Sequence, residues 1–307
     1  MTVLHEKKMR KSKLNRMMTF DYFNYFFLIL FCISIIFPMW DMVVRSLSSP
    51  RFANGLNFMF WPKEFTTSSY TFVLSDPDLL RAFFVTVYRT IWGTVTGVAF
   101  NIMLGYPLSK KDLPARNWIT TYFLFTMFFG GGLIPSYINI RSLGLIDSFW
   151  VYILPGCVSV YNGILVRNYY MGMDPALEES AFIDGAGYMR LLVSIVIPLA
   201  KPILATIALW EAVSHWNAWF DCFIYIRSSE LEIMQIILRR MQDLTAQQSE
   251  EIQMAVEAAL QAGGAQQVTS TSVRMATTIV TMLPILCVYP FVQKYFVKGI
   301  MIGSLKG

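Results

Sequence analysis

The sequence predicts an all-α polytopic membrane protein with six transmembrane helices and both termini cytoplasmic. The 307 residues are 55% hydrophobic and only 15% charged, with a mean hydropathy of +0.48, too oily for an ordinary soluble domain. Six windows are long enough to cross a bilayer, which takes about 20 apolar residues. Lys and Arg are placed between those windows in the alternation that fixes orientation, dense on the cytoplasmic side.

Residues 1–19 hold Lys7, Lys8, Arg10, Lys11, Lys13 and Arg16, a basic segment expected in the cytoplasm. The first transmembrane helix, 20–44, follows on the uncharged window Tyr22–Trp40. Its length, and the lack of a small-residue cleavage site after it, argue against a cleaved signal peptide. Orientation already accounts for the net charge of +5, so no nucleic-acid partner is expected. Residues 45–81 then form an extracytoplasmic loop. Its Phe60-Trp61-Pro62 suits either the headgroup layer of the bilayer or a docking protein.

Residues 82–297 are expected to form a five-helix core. Four of its windows, Thr90–Ser109, Asn117–Ile140, Ser148–Val166 and Met275–Gln293, carry no acid or base. The remaining window, Pro198–Phe223, contains Glu211, His215 and Asp221 and counts as a span only because of what precedes it. Lys110, Lys111 and Arg116, then Arg167, Arg190 and Lys201, fall on the cytoplasmic side, as do Lys294, Lys298 and the tail 298–307. In the third span Gly130-Gly131-Gly132 and Pro135 weaken the helix, which reads either as a close-packed crossing or as a bend. Residues 227–272 are a polar helical insertion outside the membrane. Leu231–Met241 has helical spacing and Thr245-x-x-Gln248 reads as a capping box. A second helix would run through Glu250, Glu251 and Glu257 to Gly263-Gly264. Such an insertion is either a solvated connector or a platform for a partner. Cys32, Cys157, Cys222 and Cys287 lie in or beside apolar spans and read as small core residues.

Between the fourth and fifth spans lies the loop 173–197. The stretch Glu178–Pro202 reads EESAFIDGAGYMRLLVSIVIPLAKP. Taken singly, its residues have local reasons. Glu178 and Glu179 suit a helix start, Gly185 a left-handed turn, and Pro198 and Pro202 the first turn of a helix. Taken together, Glu179, Ala181, Gly185, Ile195 and Pro198 fall on the spacing E-A-A, three residues, G, nine residues, I-x-L-P. Ser180 and Ile197 stand where that pattern has Ala and Leu. The loop resembles the EAA loop of ABC-importer permeases. The stretches GGLIPSYINIRSLGLIDSFWVYILP (131–155) and VYPFVQKYFVKGIMIGSLKG (288–307) resemble the maltose-type, carbohydrate-uptake branch associated with complex oligosaccharides. The resemblance covers nearly the whole chain from Phe20.

That resemblance implies a MetI-like fold whose cytoplasmic coupling helix sits between spans four and five. Glu178, Glu179, Ser180, Ala181, Asp184, Gly185 and Ala186 would form the ATPase-coupling surface. Glu179 would pair with a base on the ATPase, and Ala181 and Gly185 would permit close contact. The implied partners are a second permease subunit, most simply as a heterodimer, two ATPase subunits, an extracytoplasmic solute-binding lipoprotein and an oligosaccharide, in a bacterial cytoplasmic membrane. ATP and Mg would sit on the partner ATPase, since this chain has no G-x-x-x-x-G-K-[ST] phosphate loop. No cofactor, metal or catalytic residue is expected of the chain itself, and His5 and His215 are too far apart for a metal pair.

Polar side chains within spans face a cavity or one another. Asn162, Glu211, His215, Trp216, Asn217, Trp219 and Asp221 are therefore candidates for the substrate pathway, rings stacking on sugars and polar groups reaching hydroxyls. Packing and interface roles explain the same residues. Asn101 and Asn168 are weaker candidates, and Arg89 is expected to snorkel or to pair with Asp78 or Asp41. Glu211, His215 and Asp221 also suit an ion- or proton-coupled secondary transporter, which predicts internal repeats that are not evident. A polytopic enzyme using them as acid–base groups leaves the loop spacing unexplained.

Overall fold

The computed structural model describes residues 2–55, 57–247 and 269–304, and every regular element among them is helical. They fall into two compact units, Met1–Val73 with Ser249–Ile279 and Leu74–Gln248 with Val280–Gly307.

In the first unit α1 runs Thr2–Ser46, and its stretch Phe20–Ser46 is long and apolar enough to cross a membrane. Arg45, in its last turn, folds the following chain back. Its guanidinium meets Asp41 at 2.6 Å and donates to the carbonyls of Ala53, Gly55 and Asn57. Asp41 in turn accepts from the N–H of Met59. The short α2 (Pro50–Ala53) lies inside this bend. Trp40 Nε1 donates to the Phe60 carbonyl, and the Phe58 ring stacks on Phe37 and meets Phe60 edge-on. Phe60 and Trp61 stand exposed on this arch. Farther along the chain, Thr269 and Ser272 cap each other reciprocally, each hydroxyl accepting from the other's N–H, and so open the helix Ser270–Ser304.

The second unit is built on a single long helix. After α3 (Ser68–Ser75), Asp76 caps α4 (Pro77–Ser109) by accepting from the N–H groups of Asp78 and Leu79. Arg89, Gly93, Gly97, Asn101 and Gly105 recur every four residues along α4 and are all buried. The three glycines of this ridge let neighbouring helices approach closely. A β-carbon on Gly105 would stand 2.7 Å from the carbonyl of Gly163.

Three of the expected spans are not straight helices. The window 117–140 is two helices, α5 (Arg116–Phe128) and α6 (Leu133–Ser142), bent by 113°. Gly132 sits at the break with φ +83°, a left-handed conformation that a β-carbon disfavours. Of the two readings of the glycine run, the structure has the bend. The window 148–166 starts as two 3-10 turns, Phe149–Tyr152 and Leu154–Gly156, then bends by 48° into α7 (Val160–Met171), capped by Ser159. The loop 173–197 holds α8 (Pro175–Ile183) and α9 (Tyr188–Leu191). A π-helical turn at Leu192–Val196 runs into α10 (Ile197–Leu199), just where Pro198 removes a backbone donor from the ladder. An 80° bend leads to α11 (Lys201–Asn217).

α11 stops at Asn217, short of the expected Phe223, and α12 (Phe220–Tyr225) is a separate turn. α13 (Met234–Gln247) continues through Thr245, so no new helix opens there. The second helix expected through Glu250, Glu251 and Glu257 lies outside the described residues. The last helix, α14, is Ser270–Ser304, with Pro284 and Pro290 inside it. Among the described residues three helices are long and apolar enough to cross a membrane, or up to six if each bent pair is one span.

Two apolar clusters pack the second unit. One gathers Ile102, Tyr106, Val166, Ala181, Leu191 and Ile207. The other gathers Ile140, Val151, Ile153, Cys222, Ile233 and Ile236. Cys222 is thus a core residue as expected, whereas Cys32 and Cys287 are exposed.

Candidate functional site

The loop between α7 and α11 begins with a well-formed short helix. Asp174 caps α8 by accepting from the N–H of Ala176 at 3.0 Å, with Pro175 in the first turn. The helix ends in a Schellman motif: Gly185 N–H donates to the Phe182 carbonyl at 3.0 Å and Ala186 N–H to the Ala181 carbonyl at 2.9 Å. Gly185 takes φ +78°, and a β-carbon built on it meets no atom within 4 Å. Its backbone therefore needs glycine, while the space in front of it is open.

The seven residues assigned to coupling divide by exposure. Glu179, Ser180, Asp184 and Gly185 are exposed, and Ala186 is half-buried. Ala181 instead belongs to the apolar cluster with Leu191 and Ile207, so its small side chain lets α8 pack on its own chain. Glu178 is half-buried and bound through both oxygens by Lys110 Nζ, at the end of α4. Sequence reading missed the apolar part of this surface. Ile183 is 86% exposed and Met189 76%, beside the exposed ring of Tyr188. A large unpaired apolar group between Phe182 and Asp184 was the available signal.

The polar residues of the spans form a buried seam along the ridge of α4. Glu211 on α11, 7% exposed, accepts at Oε1 from Asn162 at 2.7 Å and from Asn101 at 3.2 Å. Asn101 Oδ1 accepts from the N–H of Ser159, the cap of α7. One carboxylate oxygen thus joins α4, α7 and α11, and a buried acid is tolerable only with such donors. One turn along, the His215 ring lies on Gly93: a β-carbon there would stand 2.3 Å from Nε2. Trp216 is buried, its Nε1 donating to the Thr281 carbonyl at 3.1 Å and its ring edge-on to Phe83.

Arg89 pairs with neither Asp78 nor Asp41, which are taken by Arg81 and Arg45. It binds Asp221 with both terminal nitrogens, donates to the Ala218 carbonyl at 3.2 Å, and lies over the Tyr152 ring at 4.5 Å. Of the seven pathway candidates, Asn162, Glu211, His215, Trp216 and Asp221 thus engage neighbours within the unit. Asn217 is exposed, and Trp219 is half-buried beneath the Arg239 guanidinium at 3.6 Å, beside the exposed rings of Phe220 and Phe223. The segment after α12 is tied down by Asp147, which accepts from the N–H groups of Arg227 and Ser228 and from the Ser228 hydroxyl. Those donors hold the Asp147 carboxyl below its ordinary value, the Ser228 N–H contributing most. Among the described residues no three His, Cys, Asp or Glu side chains are grouped to hold a metal ion.

No family model matches the chain. It is 36% identical over 275 residues to the protein LplC of Bacillus subtilis (strain 168), covering 89% of this chain and 90% of that one. It is 31% identical over 288 residues to the polygalacturonan/rhamnogalacturonan transport system permease protein YtcP of the same organism, covering 94% and 98%. The arabinooligosaccharides transport system permease protein AraQ of that bacterium is 27% identical over 286 residues. Among solved structures, a chain of a bacterial ABC transporter involved in the import of the acidic polysaccharide alginate matches with a TM-score of 0.80 and 32% identity. That match covers 90% of this chain and 96% of the other.

Proposed function

The chain belongs to the permease subunits of carbohydrate-importing ABC transporters, and we propose that it forms half of an oligosaccharide pathway driven through α8. As a permease it is a non-catalytic membrane component, and ATP is hydrolysed by a separate subunit. The match over nearly the full length of two relatives and one solved chain, at 31–36% identity, carries this reading.

In this reading each bent pair counts as one span, giving six, with both termini and loop 173–197 in the cytoplasm of a bacterial cell. Residues 45–81 and 227–272 face outward, and 298–307 is the cytoplasmic tail. A second permease subunit completes the pathway as a heterodimer. Two ATPase subunits holding ATP and Mg dock on the cytoplasmic side, and a solute-binding lipoprotein delivers the sugar from outside. The exposed face of α8 and its flank, Glu179, Ser180, Asp184 and Gly185 with Ile183 and Met189, enters the ATPase cleft. Ala181, Ala186 and Glu178 hold that face in place from the permease side.

Asn217, Phe220 and Phe223 offer the exposed amide and rings that suit sugar hydroxyls and sugar faces, with Trp219 half-buried beside them. Asn162, Glu211, His215, Trp216 and Asp221 support that wall from behind. Two of the similar proteins carry names that refer to acidic polysaccharides, polygalacturonan and alginate. Fragments of a uronate polysaccharide are therefore the substrate class this reading favours.

The test is reconstitution of the affinity-purified complex in liposomes. ATP hydrolysis stimulated by a binding protein loaded with oligouronate, and not by one loaded with neutral maltodextrin, is the expected result. Stimulation by the neutral sugar alone would overturn the substrate class, and recovery of a lone chain without an ATPase would overturn the assembly.

A further inference from the structure

We propose that Lys110 is a positioning residue for coupling, a strut that fixes the docking helix α8 to the end of the long helix α4. The proposal rests on α8 being the docking helix. Lys110 is the C-cap of α4: its N–H still donates to the Pro107 carbonyl at 3.1 Å, which ties it to the last turn, while its extended ψ of 131° ends the helix there. Its Nζ binds both carboxylate oxygens of Glu178, in the first turn of α8. The ammonium also lies 4.3 Å from the Tyr106 ring centroid, and that ring meets Tyr170 of α7 edge-on at 5.7 Å. The cation is therefore held from two sides, by charge and by an aromatic face.

What surrounds the pair gives it mechanical meaning. The pair lines an open cleft of about 590 Å³ between this end of α4 and the coupling loop, whose apolar walls include Met103, Pro107, Phe182 and Leu192. Ala181 of α8 already shares one apolar cluster with Ile102 and Tyr106 of α4, a contact without direction. The two-pronged ion pair adds a directed one, and each side chain here is only 24% exposed, so solvent screens it partly rather than fully. Beyond Lys110, α4 is stitched to α7 and α11 along its glycine ridge. A displacement of α8 enters the helix bundle through this contact, which is the kind of shared two-state element that coupling requires. If Lys110 served only as an orienting positive charge, its exact partner would not matter.

The experiment uses the complex purified through this chain and reconstituted in liposomes, with wild type, Lys110→Glu, Glu178→Lys and the double exchange compared. Recovery of the ATPase subunit, ATP hydrolysis and sugar uptake are all measured. Lys110→Glu is expected to recover the ATPase normally and to lower uptake per ATP hydrolysed by about tenfold, with the double exchange returning to within about threefold of wild type, as coupled neighbours do. Normal uptake by Lys110→Glu, or a double exchange no better than the single variants, overturns the strut. If Lys110→Glu fails to assemble, Lys110→Gln, which keeps the packing on Tyr106, takes its place. A lowered ratio there supports the strut and an unchanged one overturns it. A wild-type chain that recovers no ATPase overturns the docking reading and the proposal together, whereas normal recovery with an indifferent Lys110 removes the strut alone.

Discussion

Arg89 of α4 holds Asp221 of α12 through both terminal nitrogens from a position that is 1% exposed. The same guanidinium covers the Tyr152 ring and reaches the Ala218 carbonyl, so one side chain joins the 3-10 turn Phe149–Tyr152, the end of α11 and the turn after it. A planar fork suits this work and an ammonium does not. Removing one partner of a buried pair leaves the other charge uncompensated, so Arg89→Ala is expected to cost about 3 kcal/mol. Asp221 is 26% exposed on its side chain, so Asp221→Asn should cost less, and Arg89→Lys should fall between them. Thermal unfolding of the purified complex checks the order; a melting temperature unchanged in Arg89→Ala would sink the assignment.

Gly93 and His215 make a matched pair in the same seam. A β-carbon on Gly93 would fall 2.3 Å from Nε2 and 2.5 Å from Cδ2 of the imidazole, so Gly93→Ala must push the ring aside. Overpacking of this kind costs about 1–3 kcal/mol. Shortening His215 to Ala should relieve the clash, so the double variant Gly93→Ala/His215→Ala is expected to melt higher than Gly93→Ala alone. A double variant less stable than either single one would show that the ring has another essential contact.

Much of this was legible in the sequence, for identifiable reasons. The windows without charge mark the helical segments because a bilayer admits little else. The turn after α8 was readable because Gly185 has a conformation that few other residues take. The bends were harder. Hydropathy cannot tell a straight span from α5 and α6 at 113°, and only the run Gly130–Gly132 hinted at it. The pairing of Glu211 with Asn101 and Asn162 was beyond reach, because it depends on which faces of three helices meet. Arg89 shows the same limit: it sits nearer in sequence to Asp78, yet its partner is 132 residues away.

Asp147 gives a pH dependence with a definite sign. It takes φ +56° and accepts three hydrogen bonds from Arg227 and Ser228, which hold its folded pKa below the ordinary 3.8. Its stabilisation is therefore present above that ordinary value and is lost as pH falls through the lower, folded one. Asp147→Asn keeps the left-handed turn but carries no titrating group. It should melt lower than wild type at neutral pH, and the gap should close in the acid range below 3.8. A gap that stays constant into that range would mean the carboxylate charge contributes nothing.

Gly185 separates the demands of the turn from those of the docking surface. Its φ of +78° makes any β-carbon unfavourable, while the space a β-carbon would enter is empty. Gly185→Ala therefore meets only the backbone cost, about 1–2 kcal/mol, and should leave uptake close to wild type in a complex still recovered with its ATPase. Gly185→Trp bears the same backbone cost and adds a bulky ring on the exposed side, between Ile183 and Met189. The chain should still insert, since nothing within the permease is displaced, but in the proposed docking the ring stands where α8 enters the ATPase. Recovery of the ATPase and sugar uptake are both expected to fall at least about tenfold below the alanine variant, equal to roughly 1.4 kcal/mol of lost docking. Equal loss in both variants would make Gly185 a requirement of the turn alone, and normal uptake by Gly185→Trp would move the docking surface away from the end of α8.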